Sequence, residues 1–274
     1  MKARTLVLDG YGQNCGYETD FALRLAGAES ERVHINELLW REKKLEDYHI
    51  LFLGGGFSFG DDHGAGLLEA CKLKYNLGEG IQRFIREGKL IMGICNGAQA
   101  VVNMGLLPGF DGNYDSQELA LISNDCANYR DDWVRLKVNE ASPCIFTRCM
   151  KEIELPIRHG EGKFYAEKPV IRKLFERNQV VLQYARIDGS GKIAGGKFPD
   201  NPNGSLYDIA GICDSSGRVF ILMPHPEAYN SFTNHPHWTR KKESYKRKGL
   251  PIPEIGDGIQ IFRNAVEYAE NKLV

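Results

Sequence analysis

Strand and helix alternate most clearly in residues 89–105, KLIMGICNGAQAVVNMG. The apolar run KLIMGI predicts a buried strand, and the apolar spacing of NGAQAVVNMG predicts a helix. Cys95 lies between them, with one glycine two residues before it and another two residues after it. Because glycine relieves crowding in a sharp turn, G-x-C-x-G predicts a nucleophile elbow whose helix N-terminus stabilises a thiolate. An ordinary buried thiol is the alternative for this motif.

The same alternation extends over the first half of the chain. RTLVLDGYG and YHILFLGGGFSFG predict strands that run into glycine turns, and RVHINEL predicts a further strand. YETDFALRLAGA and LGEGIQRFIREG predict helices. We therefore predict an α/β fold with a mostly parallel central sheet and helices on both faces, in which ligands bind beyond the C-terminal ends of the strands.

The pattern changes from about residue 119, where short apolar runs alternate with turn residues. These runs predict antiparallel additions in the C-terminal half, with a hairpin around DSSG at residues 214–217. DGIQIFRNAVEYAENKL predicts a closing amphipathic helix. No linker separates the two halves, so residues 1–274 are predicted to form a single domain.

Residues 230–258 interrupt this rhythm with a polar, proline-rich segment that we call the basic segment. Between Arg240 and Lys248 it carries six Lys or Arg residues against one Glu. Such a composition predicts a solvated surface loop or a short helix. A docking or phosphate-binding surface is the alternative.

Composition excludes several classes of function. The formal net charge of −1 gives no general reason to expect nucleic acid or a membrane as a partner. No apolar run approaches the roughly 20 residues of a membrane span, and the N-terminal apolar run stops at Asp9, too early for a secretory signal. The seven scattered cysteines form neither a disulfide framework nor a zinc-ligand spacing. We expect a cytoplasmic protein with no metal site.

A thiol nucleophile needs a base, and residues 218–229, RVFILMPHPEAY, provide a candidate. His225 follows an apolar strand, which predicts that it lies at the same sheet edge as Cys95. If the segment is extended, Glu227 faces the same way as His225 and can orient the imidazole. The His-Pro-Glu motif alone is equally compatible with a surface turn, but with the elbow it predicts a Cys–His–Glu triad.

GICNGAQ together with PHPE resembles the class I glutamine amidotransferases. GGGFSFGDDHGAG, LPIRHGEGKFY and NPNGSLYDIAGI make the chain similar, within that class, to the glutaminase subunits of phosphoribosylformylglycinamidine synthase. The resemblance runs from the first strand to the closing helix and is expected to exclude most of the basic segment. It implies a flavodoxin-like α/β fold.

The resemblance also implies a reaction. Cys95 would attack the carboxamide of L-glutamine to form a glutamyl thioester and release ammonia, His225 would shuttle the protons, and Glu227 would orient His225. Gly56 and the backbone N–H of Asn96 would stabilise the oxyanion. Gln99 would contact glutamine, and the loop of His159 and Glu161 would line the pocket or serve only the structure. The residues assigned to the oxyanion and substrate site are Gly55, Gly56, Phe57, Asn96, Gln99, His159 and Glu161.

The resemblance implies that this chain carries no cofactor. Ammonia would pass to a synthetase subunit that binds ATP, Mg²⁺ and formylglycinamide ribonucleotide, and a small accessory subunit would be a further partner. Accordingly, GKIAGGKF at residues 191–198 lacks the Ser or Thr of a phosphate loop. Ala228 departs from the family, which often has Arg there. The alternatives are an amidotransferase subunit serving another synthetase, and a non-catalytic regulatory subunit with the same fold.

Overall fold

The computed structural model describes residues 2–274. The strands are β1 (Arg4–Asp9), β2 (Glu29–His34), β3 (Ile50–Leu53), β4 (Leu90–Ile94), β5 (Leu119–Ser123), β6 (Arg130–Val138), β7 (Glu152–His159), β8 (Glu161–Ala166), β9 (Val180–Ala185), β10 (Ile209–Cys213) and β11 (Val219–Leu222). The helices are α1 (Gly16–Leu25), α2 (Ile35–Leu39), α3 (Leu67–Arg86), α4 (Asn96–Asn103), α5 (Lys168–Glu176), α6 (Trp238–Arg247) and α7 (Ile259–Lys272).

Within the described residues, nine strands form one sheet in the order β2-β1-β3-β4-β11-β10-β9-β6-β7. The first five of these are parallel to one another, in the order of a flavodoxin-like sheet, and the remaining neighbours pair antiparallel. The predicted hairpin is present, because β10 and β11 pair across the DSSG turn. The predicted fold class and antiparallel additions are confirmed.

Helices cover both faces of the parallel part. Phe52 and Leu53 are neighbours on β3 and therefore point to opposite faces of the sheet. The Phe52 ring packs on Phe262 of α7, with 5.6 Å between ring centroids. On the other face, Gly97 of α4 lies against Leu53, so closely that a methyl group at Gly97 would meet the Leu53 carbonyl oxygen. One continuous hydrophobic core spans both halves of the chain, which supports the prediction of a single domain.

One local prediction was wrong. The strand predicted from RVHINEL ends at His34, and the rest of that stretch is the short helix α2. The His34 side chain accepts a hydrogen bond from the N–H of Asn36, and Glu37 accepts one from the N–H of His34, so a capping box starts this helix. The first of the short runs predicted after residue 118 is a strand, β5, and it pairs antiparallel with β8 in a separate two-stranded sheet.

The basic segment contains a short surface helix, α6, none of whose residues is buried. Ser231 pairs with Ile255 at its base, so the segment leaves and rejoins the body at one point. Lys241 and His235 both contact the Glu154 carboxylate of β7, at 2.7 and 3.0 Å, which fixes the segment to the edge of the sheet. Among the helices of residues 2–274, none combines the length and apolar character needed to cross a bilayer.

Candidate active site

Cys95 lies in the sharp turn between β4 and α4. Its backbone has φ 51° and ψ −107°, an unfavourable conformation for a residue with a side chain. The flanking glycines make the turn possible: a methyl group at Gly93 would lie 2.7 Å from the Gly97 carbonyl oxygen. The turn therefore has the geometry predicted for a nucleophile elbow, and it places Cys95 at the carboxyl edge of the parallel strands.

His225 and Glu227 lie at the same edge, just beyond β11. Nδ1 of His225 is 2.5 Å from Oε1 of Glu227, and both side chains are buried. The segment is not extended, the condition under which the sequence analysis placed Glu227 beside His225, because residues 226–228 form a single 3₁₀ turn. The turn, with Pro226 at its start, brings the carboxylate back onto the imidazole, and the N–H of His225 donates to the Pro156 carbonyl oxygen at 2.8 Å.

The charges around His225 favour its protonated form. Burial lowers the pKa of His225, but the negative charges of Glu227 and Cys95 and the contact with the Cys15 thiol raise it well above its usual value. Because Glu227 occupies Nδ1, the nitrogen left for Cys95 is Nε2, which is buried and has no hydrogen-bond partner within residues 2–274. The three residues of the predicted triad are thus assembled at one place.

The predicted oxyanion donors are Gly56, in the loop after β3, and Asn96, at the start of α4. The loop after β3 crosses the loop after β1. Asn14 donates its N–H to the Gly55 carbonyl oxygen at 3.2 Å, and Phe57 donates its N–H to the Gly12 carbonyl oxygen at 2.8 Å. The Phe57 N–H is therefore engaged, whereas those of Gly56 and Asn96 have no acceptor in the described part of the chain. These two N–H groups are the ones available to an oxyanion.

The crossing of the loops after β1 and β3 also fixes Gly55, whose carbonyl oxygen accepts from the N–H of Asn14. A methyl group there would lie 2.6 Å from Cε1 of His225 and 3.1 Å from Sγ of Cys15. Only a residue without a side chain allows the imidazole to approach the loop this closely.

The predicted substrate residues surround the elbow. Gln99 donates from its amide nitrogen to the Glu161 carbonyl oxygen at 2.7 Å and accepts from the Asn96 amide at 3.1 Å. It thereby ties α4 to the turn between β7 and β8. Burial and the charge of Glu161 raise the pKa of Asp61. A cation would be attracted to this pair of carboxylates.

His159 is buried in the same turn. Its Nδ1 lies 3.2 Å from the Asn124 side-chain oxygen, and a methyl group at Gly162 would lie 2.4 Å from its ring. Burial and the charge of His225 lower the pKa of His159 to about 3, so it is neutral at physiological pH. These contacts fit a role in shaping the loop more closely than a role in moving protons.

Three neighbours of the site were not predicted. Sγ of Cys15 lies 3.9 Å from Nδ1 of His225. The Tyr129 ring lies near Phe57 at the exposed rim, with 6.4 Å between ring centroids. The Asn124 side chain holds the His159 loop by donating to the His159 carbonyl oxygen at 2.8 Å and accepting from the N–H of Gly162 at 3.1 Å. The sequence contained a signal for Cys15, because this residue follows a predicted strand and a glycine turn, and Cys95 also follows a predicted strand.

A model of the CobB/CobQ-like glutamine amidotransferase domain matches residues 2–269. The chain is 47% identical to the phosphoribosylformylglycinamidine synthase subunit PurQ of Methanococcus maripaludis, over 97% of each chain. It is 44% identical to the subunit of the same name from Dehalococcoides mccartyi, over 98% of each chain. So complete an alignment includes most of the basic segment, and the expectation that the resemblance would exclude it was wrong.

Solved structures have the same fold. A chain of the PurLQS structure from Thermotoga maritima superposes with a TM-score of 0.68 at 30% identity, covering 98% of this chain and 99% of that one. A protein from Thermoplasma acidophilum, described as a GMP synthase subunit, superposes with a TM-score of 0.54 at 14% identity, covering 99% and 96% of the two chains. The second likeness concerns the fold alone.

Proposed function

Since the chain belongs to the CobB/CobQ-like glutamine amidotransferase family, we propose that it is the glutaminase subunit of phosphoribosylformylglycinamidine synthase. It hydrolyses L-glutamine and passes the ammonia to a synthetase subunit, which converts formylglycinamide ribonucleotide into formylglycinamidine ribonucleotide in purine biosynthesis. The observation that carries the proposal is the near-full-length similarity to subunits of this enzyme. This similarity favours that synthetase over another one as the partner.

The site supports a thioester mechanism. The raised pKa of His225 favours transfer of the Cys95 thiol proton to the imidazole, and the resulting thiolate attacks the carboxamide carbon of glutamine. Glu227 holds Nδ1–H, so that Nε2 faces the thiol and the imidazolium is stabilised. His225 then gives its proton to the departing amine, ammonia leaves, and water hydrolyses the thioester to glutamate.

The oxyanion of each tetrahedral intermediate would lie between the N–H groups of Gly56 and Asn96, the two without an internal acceptor. The α-ammonium group of glutamine would be attracted to the carboxylates of Asp61 and Glu161.

We further propose that ATP and Mg²⁺ bind to the synthetase partner and not to this chain, that a small accessory subunit completes the complex, and that the complex is cytoplasmic. The chain's 191–198 loop supports the first of these, because it lacks a phosphate-loop hydroxyl.

The test is product formation by the complex with two nitrogen sources. Cys95→Ala should abolish glutamine-dependent formation of formylglycinamidine ribonucleotide, while an ammonium salt still supports it at the wild-type rate. A Cys126→Ser complex is the control, because Cys126 is an exposed thiol. Wild-type glutamine-dependent activity in the Cys95→Ala complex would exclude the mechanism, and glutamine hydrolysis indifferent to the synthetase substrates would point to another partner.

A further inference from the structure

Cys15 places a second thiol on the imidazole that serves Cys95. Its sulfur lies 3.9 Å from Nδ1 of His225, the nitrogen that Glu227 contacts at 2.5 Å. The donor atoms of Cys15, His225 and Glu227 all lie within 4.8 Å of one another, and all three residues are buried. A thiol, an imidazole nitrogen and a carboxylate thus converge on one point.

The backbone holds this arrangement in place. The N–H of Cys15 donates to the Gly55 carbonyl oxygen at 3.1 Å, and its carbonyl oxygen accepts from the Thr19 hydroxyl at 2.8 Å. The second carboxylate oxygen of Glu227, Oε2, is buried and has no hydrogen-bond partner in residues 2–274. A fully buried carboxylate oxygen without a partner is costly and is therefore a reason to look for a ligand.

We propose that Cys15, His225 and Glu227 form a binding site for a thiophilic divalent cation, with Zn²⁺ as the best match, and that the bound cation inhibits the glutaminase. Zn²⁺ prefers sulfur, imidazole nitrogen and carboxylate oxygen in a tetrahedral arrangement, and three protein ligands leave a fourth position for water. Ligand bonds of about 2.0–2.3 Å place neighbouring ligand atoms roughly 3.3–3.7 Å apart. The sulfur–nitrogen pair is close to that spacing, and the carboxylate moves outward by under about 1 Å as the metal replaces the proton.

Metal binding and catalysis compete for the imidazole of His225. Binding releases the Cys15 thiol proton to solvent, and the Nδ1 proton either leaves to solvent or moves to Nε2. An imidazole that is bound through Nδ1 and protonated at Nε2 cannot accept the Cys95 proton.

The binding part of the proposal stands on this geometry alone, whereas the inhibition rests on the proposed function. Binding is measured on the full chain, by competition with a chromophoric zinc chelator and by the thiolate-to-cobalt absorption of the Co²⁺ form. We expect one site per chain, at least a tenfold loss of Zn²⁺ affinity in Cys15→Ser, and loss of the cobalt band. Cys95→Ser and Cys126→Ser should keep both the affinity and the band.

Failure of the binding site can be distinguished from failure of the inhibitory role. Equal Zn²⁺ affinity in Cys15→Ser and the wild type, or loss in Cys95→Ser alone, would place the metal on Cys95 and overturn the site. Normal binding without inhibition of glutamine-dependent turnover would overturn the inhibitory role. Circular dichroism checks that each variant folds, and Cys15→Ala replaces Cys15→Ser if the hydroxyl disturbs the buried contact.

Discussion

Two loops at the carboxyl edge of the sheet present a cysteine to His225, and they do so differently. Cys15 ends the loop after β1 and precedes α1, and Cys95 directly follows β4 and precedes α4. Both thiols are therefore at the N-terminus of a helix and beside the imidazole. Cys15 has an ordinary negative φ of −96°, whereas Cys95 has φ 51°.

The difference shows what a nucleophile requires beyond a helix N-terminus and a histidine. Cys15 faces Nδ1, which Glu227 already occupies, and burial raises the pKa of its thiol. Cys95 lies close enough to the imidazole for its charge to raise the pKa of His225, Nε2 of that ring has no partner within the described chain, and the free N–H of Asn96 directly follows Cys95. In the proposed mechanism, only Cys95 therefore has both a base able to take its proton and donors for the oxyanion.

The strongest test of this comparison removes each of the two thiols in turn. Cys95→Ala should reduce glutamine-dependent turnover by a factor of about 10⁴ or more, because the covalent step is lost. Cys15→Ala should reduce it by less than about tenfold, because it removes only a contact at Nδ1. Steady-state kinetics with glutamine measures both. A loss in Cys15→Ala as large as that in Cys95→Ala would show that the thiols act together.

Removing the negative charge of Glu227, which contacts Nδ1 of His225, should have the next largest effect. Glu227→Gln is expected to lower kcat by about 10²–10⁴, because the imidazole loses its orienting carboxylate. The charge of Glu227 raises the pKa of His225, so the limb of the kcat/KM pH profile that belongs to His225 should move to lower pH. A slower enzyme with an unmoved limb would assign the limb to another group.

A methyl group between the two loops should have a smaller effect. Gly55→Ala would press on Cε1 of His225 and on Cys15, and should lower kcat by about 10- to 100-fold with the fold retained. Gly80→Ala in α3 is the matched control, because a methyl group there meets no atom within 4 Å. The control should keep full activity and gain up to about 1 kcal/mol of stability. Full activity in Gly55→Ala would mean that the loop moves freely.

The smallest effect is expected on the free energy of unfolding, through the buried carboxyl group of Glu69 in α3. Burial raises the pKa of Glu69 from 4.5 to about 7, although a hydrogen bond from Gln13 opposes the rise. A carboxyl that binds its proton more tightly when folded costs stability as pH rises from 4.5 through 7, and the cost is complete above that range. Glu69→Gln should therefore be more stable than the wild type by about 1–3 kcal/mol at pH 8 and no more stable near pH 4.

Urea unfolding of both proteins at the two pH values gives this comparison directly. A stability difference that does not change with pH would mean that Glu69 does not titrate in this range.

The sequence predicted the elements with strong local signals. The glycines around Cys95 indicated the elbow, because their close approach to neighbouring backbone is a local requirement of the turn. The apolar run before His225 indicated its place at the sheet edge. Boundaries were predicted less well: the capping box at His34 starts a helix inside a stretch that the sequence predicted as strand. Likewise, residues 226–228 form a turn where the sequence analysis considered an extended backbone.

By itself, the sequence determined the α/β fold and predicted a cysteine nucleophile on an elbow, because period, glycine spacing and residue chemistry are local properties of a chain. The tertiary structure alone decided which groups surround the imidazole. Cys15 and Gly55 reach His225 only because the loops after β1 and β3 cross and exchange backbone hydrogen bonds. Strand order brings these loops together, and no spacing along the chain records it.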